Sequence, residues 1–181
     1  MGYLAGMIGF ALFFLSDYND WRLSRKELKF AFPVGMLLLV IGTAMDASPG
    51  AALLHGWLRI AGFVLMALFL ALEIYSLFFA LPAEASYARP GEKRPACTTG
   101  VYALCRHPGV LWFAGVYGCL WLTVGLPLWE AALYCGLNVL LVTFEDLCVF
   151  PARLEGYDAY RAQTPFLLPT RQSIRACHIK K

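Results

Sequence analysis

Val124-Gly125-Leu126-Pro127-Leu128-Trp129, set between an apolar run over 109–126 and another over 128–150, decides how this chain folds. Pro127 stands between two leucines with almost no polar linker, so the two runs must turn straight back on each other. An apolar run of that length matches the hydrocarbon core of a bilayer, which is about 30 Å thick and takes roughly 20 residues of helix. Backbone polar groups cannot be left open in hydrocarbon, so each run is expected to be helical and the pair to form a tight hairpin.

Working outward from the hairpin, three more apolar runs cover about 1–16, 28–45 and 56–81. Sixty per cent of the 181 residues are hydrophobic and fifteen per cent are charged, too apolar for one soluble core. The expected class is therefore all-α: a single membrane domain over 1–181 with about five transmembrane helices. Three N-terminal spans reach residue 81. Residues 82–181 supply a loop, the hairpin and a C-terminal amphipathic segment. The first run is short enough to be weighed as a signal peptide, but it lacks a basic n-region, and Ser16-Asp17-Tyr18-Asn19-Asp20 is a poor cleavage site. It is read as a retained span.

Lys and Arg cluster on one side of these spans. Arg22, Arg25, Lys26 and Lys29 follow the first, Arg89, Lys93, Arg94 and Arg106 precede the fourth, and Arg153 to Lys181 fill the tail. Only Arg59 lies near the other face. The positive-inside rule then places the N-terminus outside and the C-terminus in the cytosol, the arrangement of a multi-pass protein in a prokaryotic plasma membrane. The net charge of +3 belongs to rims facing anionic lipid. No basic patch is interleaved with aromatics, so no nucleic acid is expected as a partner. Six cysteines lie in or beside spans or on the reducing side, which argues against a disulfide framework. Cys97, Cys105 and His107 match no common zinc spacing, and no metal is expected.

Two polar stretches flank the hairpin on its cytosolic side. The first is Gly100-Val101-Tyr102-Ala103-Leu104-Cys105-Arg106-His107-Pro108. The second is Glu145-Asp146, followed by Tyr157-x-x-Tyr160 and Pro165-Phe166-Leu167-Leu168-Pro169. Because they enter and leave one hairpin, they must share a side. Pro108 suits the first turn of a helix, whose free N–H groups and dipole attract anions, and Arg106 adds a permanent positive charge. Glu145 can accept hydrogen bonds or offset a cation, and Tyr157 and Tyr160 can offer stacking faces or sit as interfacial anchors. Glu73, about two turns from the cytosolic end of the third span, is a further candidate because an acid at that depth is expensive. The tail from Ala152 to about Gln163 reads as one amphipathic helix on the membrane surface, stopping at Pro165. Arg59, Asp46 and Glu130 lie near enough the outer interface to snorkel and are assigned to structure.

In order and spacing, G-x-Y-x-x-x-R-H-P followed by E-D, Y-x-x-Y and P-x-x-x-P resembles the isoprenylcysteine carboxyl methyltransferase and phospholipid N-methyltransferase family of integral membrane proteins. The resemblance covers Gly100 to Pro169. It implies S-adenosylmethionine as cofactor, bound by Tyr102, Arg106, His107, Pro108, Glu145, Asp146, Tyr157 and Tyr160, with Glu145, His107 and Glu73 as candidate catalytic groups. It implies an amphiphilic or prenylated acceptor, with a carboxylate or an amine to be methylated, and contact with membrane lipids. Val110 and Trp112 stand where the family carries Tyr and Gly, and Arg153-Leu154 replaces Phe-Gly. Membrane sterol reductases share a related C-terminal half with NADPH as cofactor, and a non-catalytic protein of the same fold is the third reading. No G-x-G-x-x-G on a βαβ unit is present, so a soluble-type methyltransferase domain is absent.

Overall fold

A computed structural model describes residues 1–80 and 93–179. Five helices carry the fold: α1 (Gly2–Tyr18), α2 (Ala31–Asp46), α3 (Gly56–Ile74), α4 (Pro108–Val124) and α5 (Leu128–Phe144). After them come α6 (Phe150–Arg153), α7 (Tyr157–Gln163) and α8 (Arg171–Ile179). The sole departure from an all-α fold among the described residues is a two-residue parallel pairing of β1 (Arg94–Pro95) with β2 (Leu154–Glu155). Three helices, counted with their flanking turns, are long and apolar enough to cross a membrane: Lys26–Asp46, Gly56–Phe79 and Leu128–Arg153. The 17-residue α4 is apolar but shorter, and α1 falls outside that set.

Helices α1 and α2 pack backbone to backbone. A Cβ on Gly9 would come within 2.7 Å of the Gly35 carbonyl oxygen, and one on Gly35 equally close to Gly9; small residues permit this approach where lipid supplies no hydrophobic drive. The core lies where α1, α2, α4 and α5 meet. Phe10, Phe13, Leu39, Tyr117, Leu126 and Tyr134 are buried there, with edge-to-face contacts between Phe10 and Phe13 and between Tyr117 and Tyr134. Helix α3 buries none of its residues. Trp57, Ile60, Val64 and Leu68 point outward along it, a surface suited to lipid rather than water.

The α4–α5 turn forms as Pro127 requires. Gly125 takes a left-handed φ of 72° to end α4, Leu126 is buried, and Pro127 opens α5. The last carbonyls of α4 find partners outside the helix: Leu122 accepts from the amides of Leu53 and Leu54, and Thr123 from Arg59 Nε. Asp46 accepts the amides of Gly2 and Tyr3 at 2.9 and 2.7 Å, an anion at the start of α1. Glu130 departs from expectation: far from reaching the interface, it is 0% exposed.

At the opposite end, α1, α3 and α5 each run into one wider π-helical turn, at Asn19–Leu23, Tyr75–Phe79 and Glu145–Val149. Such turns interrupt regular bonding and often mark functional ends. The tail is not the single amphipathic helix the spacing predicts. Leu154 is extended, where β2 pairs with β1, and Gly156 has a left-handed φ of 73°, so the helix breaks and restarts as α7. Helix α8, beyond Pro165, was not anticipated; Thr170 and Ser173 cap its start reciprocally. Residues 82–92 of the polar loop at 82–108 lie outside the described residues.

Candidate functional site

Arg106 and His107 are presented by the turn just before α4, with Pro108 as the first residue of that helix. Their amides donate to the carbonyls of Pro165 and Phe166 at 2.9 and 3.2 Å, so the P-F-L-L-P stretch is laced along R-H-P. Forty residues on, Asp146 emerges from the π turn ending α5 and meets them. Arg106 donates to both Asp146 oxygens, from Nε at 2.7 Å and Nη2 at 3.1 Å, a bidentate pair. Tyr157 donates its hydroxyl to the same carboxylate at 2.5 Å, and His107 Nε2 lies 3.3 Å away. Arg161 Nε approaches at 3.5 Å. Asp146 is 3% exposed, a buried charge compensated on every side.

Arg106 spends its other face on carbonyls, donating Nη1 to Thr164 at 2.6 Å and Arg161 at 3.1 Å. Its guanidinium also lies over Phe166, 5.5 Å from the ring centroid. The sequence suggested a cation open to a ligand; the geometry makes Arg106 the clasp between α4, α5 and the tail. Tyr157 and Tyr160 are likewise not surface anchors, being 2% and 7% exposed. Tyr160 donates to the Tyr102 carbonyl at 2.7 Å, and Tyr102 donates to the Ser76 carbonyl at 2.9 Å. A hydrogen-bonded chain thus runs from the tail to the π turn of α3.

His107 is stacked on Phe150 at 5.6 Å and edge-on to Phe166 at 5.1 Å. Burial pushes its imidazole down to about 4, with the Asp146 hydrogen bond pulling the other way and the Arg106 charge adding to the depression. The ring is neutral at pH 7. With Asp146 an obligate acceptor, the assigned tautomer carries its proton on Nε2. Nδ1 is left as a free base, 3.8 Å from Glu145 Oε2. Burial holds Tyr102 up to about 12 and raises Tyr157 further, so both hydroxyls stay donors. The Cys105 thiol, 0% exposed and pushed up by burial to about 11, is no nucleophile.

Glu145 and Asp146 point different ways. Glu145 turns from the Arg106 clasp toward Asp17 of α1, a residue that sequence reading passed over as part of a rejected cleavage site. Glu73 lies against the first turn of α4, where a Cβ on Gly109 would be 3.3 Å from its Oε2. One oxygen each of Asp17 and Glu73 is buried without a hydrogen-bond partner. Trp112, in the place of the expected Gly, fills its space productively: its indole N–H donates to Ser76 Oγ at 3.1 Å and its ring stacks on Phe69. Val110 is buried. Phe150 and Ser76 were missed, and Phe166 was noted only within the P-F-L-L-P stretch, since only their neighbours in space give them a role.

No known family model, no curated protein and no solved structure matches this chain.

Proposed function

We propose that this chain is an S-adenosylmethionine-dependent methyltransferase that works at one face of a membrane on an amphiphilic acceptor. The observation that carries the reading is the meeting of R-H-P, E-D and the tail tyrosine on Asp146, which leaves a neutral, oriented His107 with Nδ1 free beside Glu145. Five membrane crossings with the N-terminus outside and the site cytosolic are part of the proposal, supported by the Lys and Arg asymmetry.

The residues present suit the cofactor at its cationic groups. Asp17, Glu73 and Glu145 gather acid at this end, and two of their oxygens are buried without partners, the complement of a sulfonium or ammonium. When bound, S-adenosylmethionine supplies a methyl group for in-line displacement, so alignment of the reactants is the chief demand on the protein. Asp146 orients His107 and fixes its tautomer, as a carboxylate does for a catalytic histidine elsewhere. An amine acceptor must lose a proton, and Glu145 and His107, 3.8 Å apart, are the groups nearest to take it. A carboxylate acceptor arrives nucleophilic and needs none. Arg106, Tyr157 and Tyr160 act as positioning residues. The apolar helices beneath the site favour an acceptor with its polar group at the interface and its tail among the spans or in lipid.

The test is methyl transfer from labelled S-adenosylmethionine in a membrane extract. Label is expected in the lipid-soluble fraction and not in soluble peptides lacking a lipid chain. Equal methylation of a small hydrophilic acceptor overturns membrane access. Binding of NADPH in place of S-adenosylhomocysteine selects the reductase reading, and binding of neither selects the non-catalytic one, which the saturation of the Arg106–Asp146 clasp favours.

A further inference from the structure

At the end of the bundle opposite His107, Glu130 sits in the first turn of α5 with 0% exposure, and neither of its carboxyl oxygens has a hydrogen-bond partner. No other described side chain combines full burial with two orphaned oxygens. An ionised carboxylate so placed has no hydrogen-bond donor beside it, and the Met1 nitrogen, the cation at this end, is held against Asp46 at 3.3 Å. The titratable and charged groups facing it are Asp46 from α2, Tyr134 from its own helix and Tyr117 from α4, with the Met1 nitrogen at the start of α1 approaching Asp46.

We propose that Glu130 is a proton-binding site: it carries a proton, and its O–H is directed at the Asp46 carboxylate, so that this end of the bundle takes up one proton when it packs. Asp46 is suited to accept. It is held as an anion by the amides of Gly2 and Tyr3 and by the Met1 nitrogen, and a carboxylate has acceptor capacity left after three such bonds. Tyr134 is suited to donate to the other Glu130 oxygen, since its present contact with the Tyr3 carbonyl is long, at 3.4 Å. One proton and a turn of the Tyr134 hydroxyl together resolve both orphaned oxygens. A metal ion is the poorer occupant, because no group of three or more His, Cys, Asp or Glu able to hold one occurs among the described residues. The site stands independently of the methyl-transfer reading.

Infrared spectroscopy of the full chain in detergent, comparing wild type with Glu130→Gln at pH 7, reads the protonation state directly. The wild type should show a carboxylic-acid C=O band that is missing from the variant. Loss of a carboxylate band in its place overturns the proposal. Should Glu130→Gln fail to fold, Asp46→Asn gives the second reading: the acid band should persist but shift, since the acceptor of its hydrogen bond has changed. An acid band indifferent to Asp46→Asn also overturns the arrangement. Stabilisation by sodium that Glu130→Gln abolishes would assign the site to a cation and not a proton.

Discussion

Replacing Asp146 with Ala removes the one group on which α4, α5 and the tail converge. The side chains of Arg106 and Asp146 are 10% and 4% exposed, so the pair is buried and not a solvent-screened surface bridge. Removing one partner of a buried pair leaves an uncompensated charge and costs about 3–5 kcal/mol, against about 0–1 kcal/mol for an exposed pair. Two further donors, from His107 and Tyr157, are stranded with it. Reversible unfolding in mixed micelles should therefore place Asp146→Ala about 3–5 kcal/mol below wild type. Arg106→Ala should cost less than this, because Tyr157 and Arg161 still face the carboxylate. The double variant should fall well short of the sum of the two, as groups in one network do. A cost below about 1 kcal/mol for Asp146→Ala, or simple additivity, would refute the clasp.

His107 makes stability pH-dependent. Its folded value of about 4 lies below the ordinary 6.5, so between those values the unfolded chain binds a proton that the folded chain does not, and stability falls as the solution is acidified through that window, by up to about 3 kcal/mol. Melting temperatures across it should show that part of the slope vanish in His107→Gln; an unchanged slope would remove the claim that the ring is buried neutral. Tyr157→Phe deletes one donor to a buried carboxylate and should cost about 1.5–3 kcal/mol in the same unfolding assay, whereas no measurable change would mean the hydroxyl is hydrated. Gly125→Ala should destabilise by at least about 1 kcal/mol, because φ is 72° and a Cβ would collide with the Ser48 carbonyl; a neutral result would place the α4–α5 turn elsewhere.

The helical hairpin and the shared side of the two polar stretches were legible because they follow from one proline and from segment length. The breaks in the tail were not. Periodicity over 152–163 favours one helix, but Gly156 and the pairing of Leu154–Glu155 with Arg94–Pro95 depend on a partner sixty residues away. The site residues were legible as a set and not in their roles. Adjacent acids look interchangeable in sequence, yet the π turn beginning at Glu145 sends Asp146 to Arg106 and Glu145 toward Asp17. Trp112 stood where a Gly was expected, and its role is invisible without Phe69 and Ser76 opposite it. Glu130 looked like an interfacial residue by its position in the chain, and only the tertiary packing around the start of α5 buries it.

The most direct test of the account is equilibrium binding of S-adenosylhomocysteine to the detergent-purified chain, with Glu145→Gln beside it as the variant that leaves the Arg106–Asp146 clasp untouched. The account predicts saturable binding to the wild type that NADPH does not compete for, weakened tenfold or more in a Glu145→Gln protein of wild-type stability. Absence of binding to the folded wild type, or equal affinity in the two proteins, would contradict it.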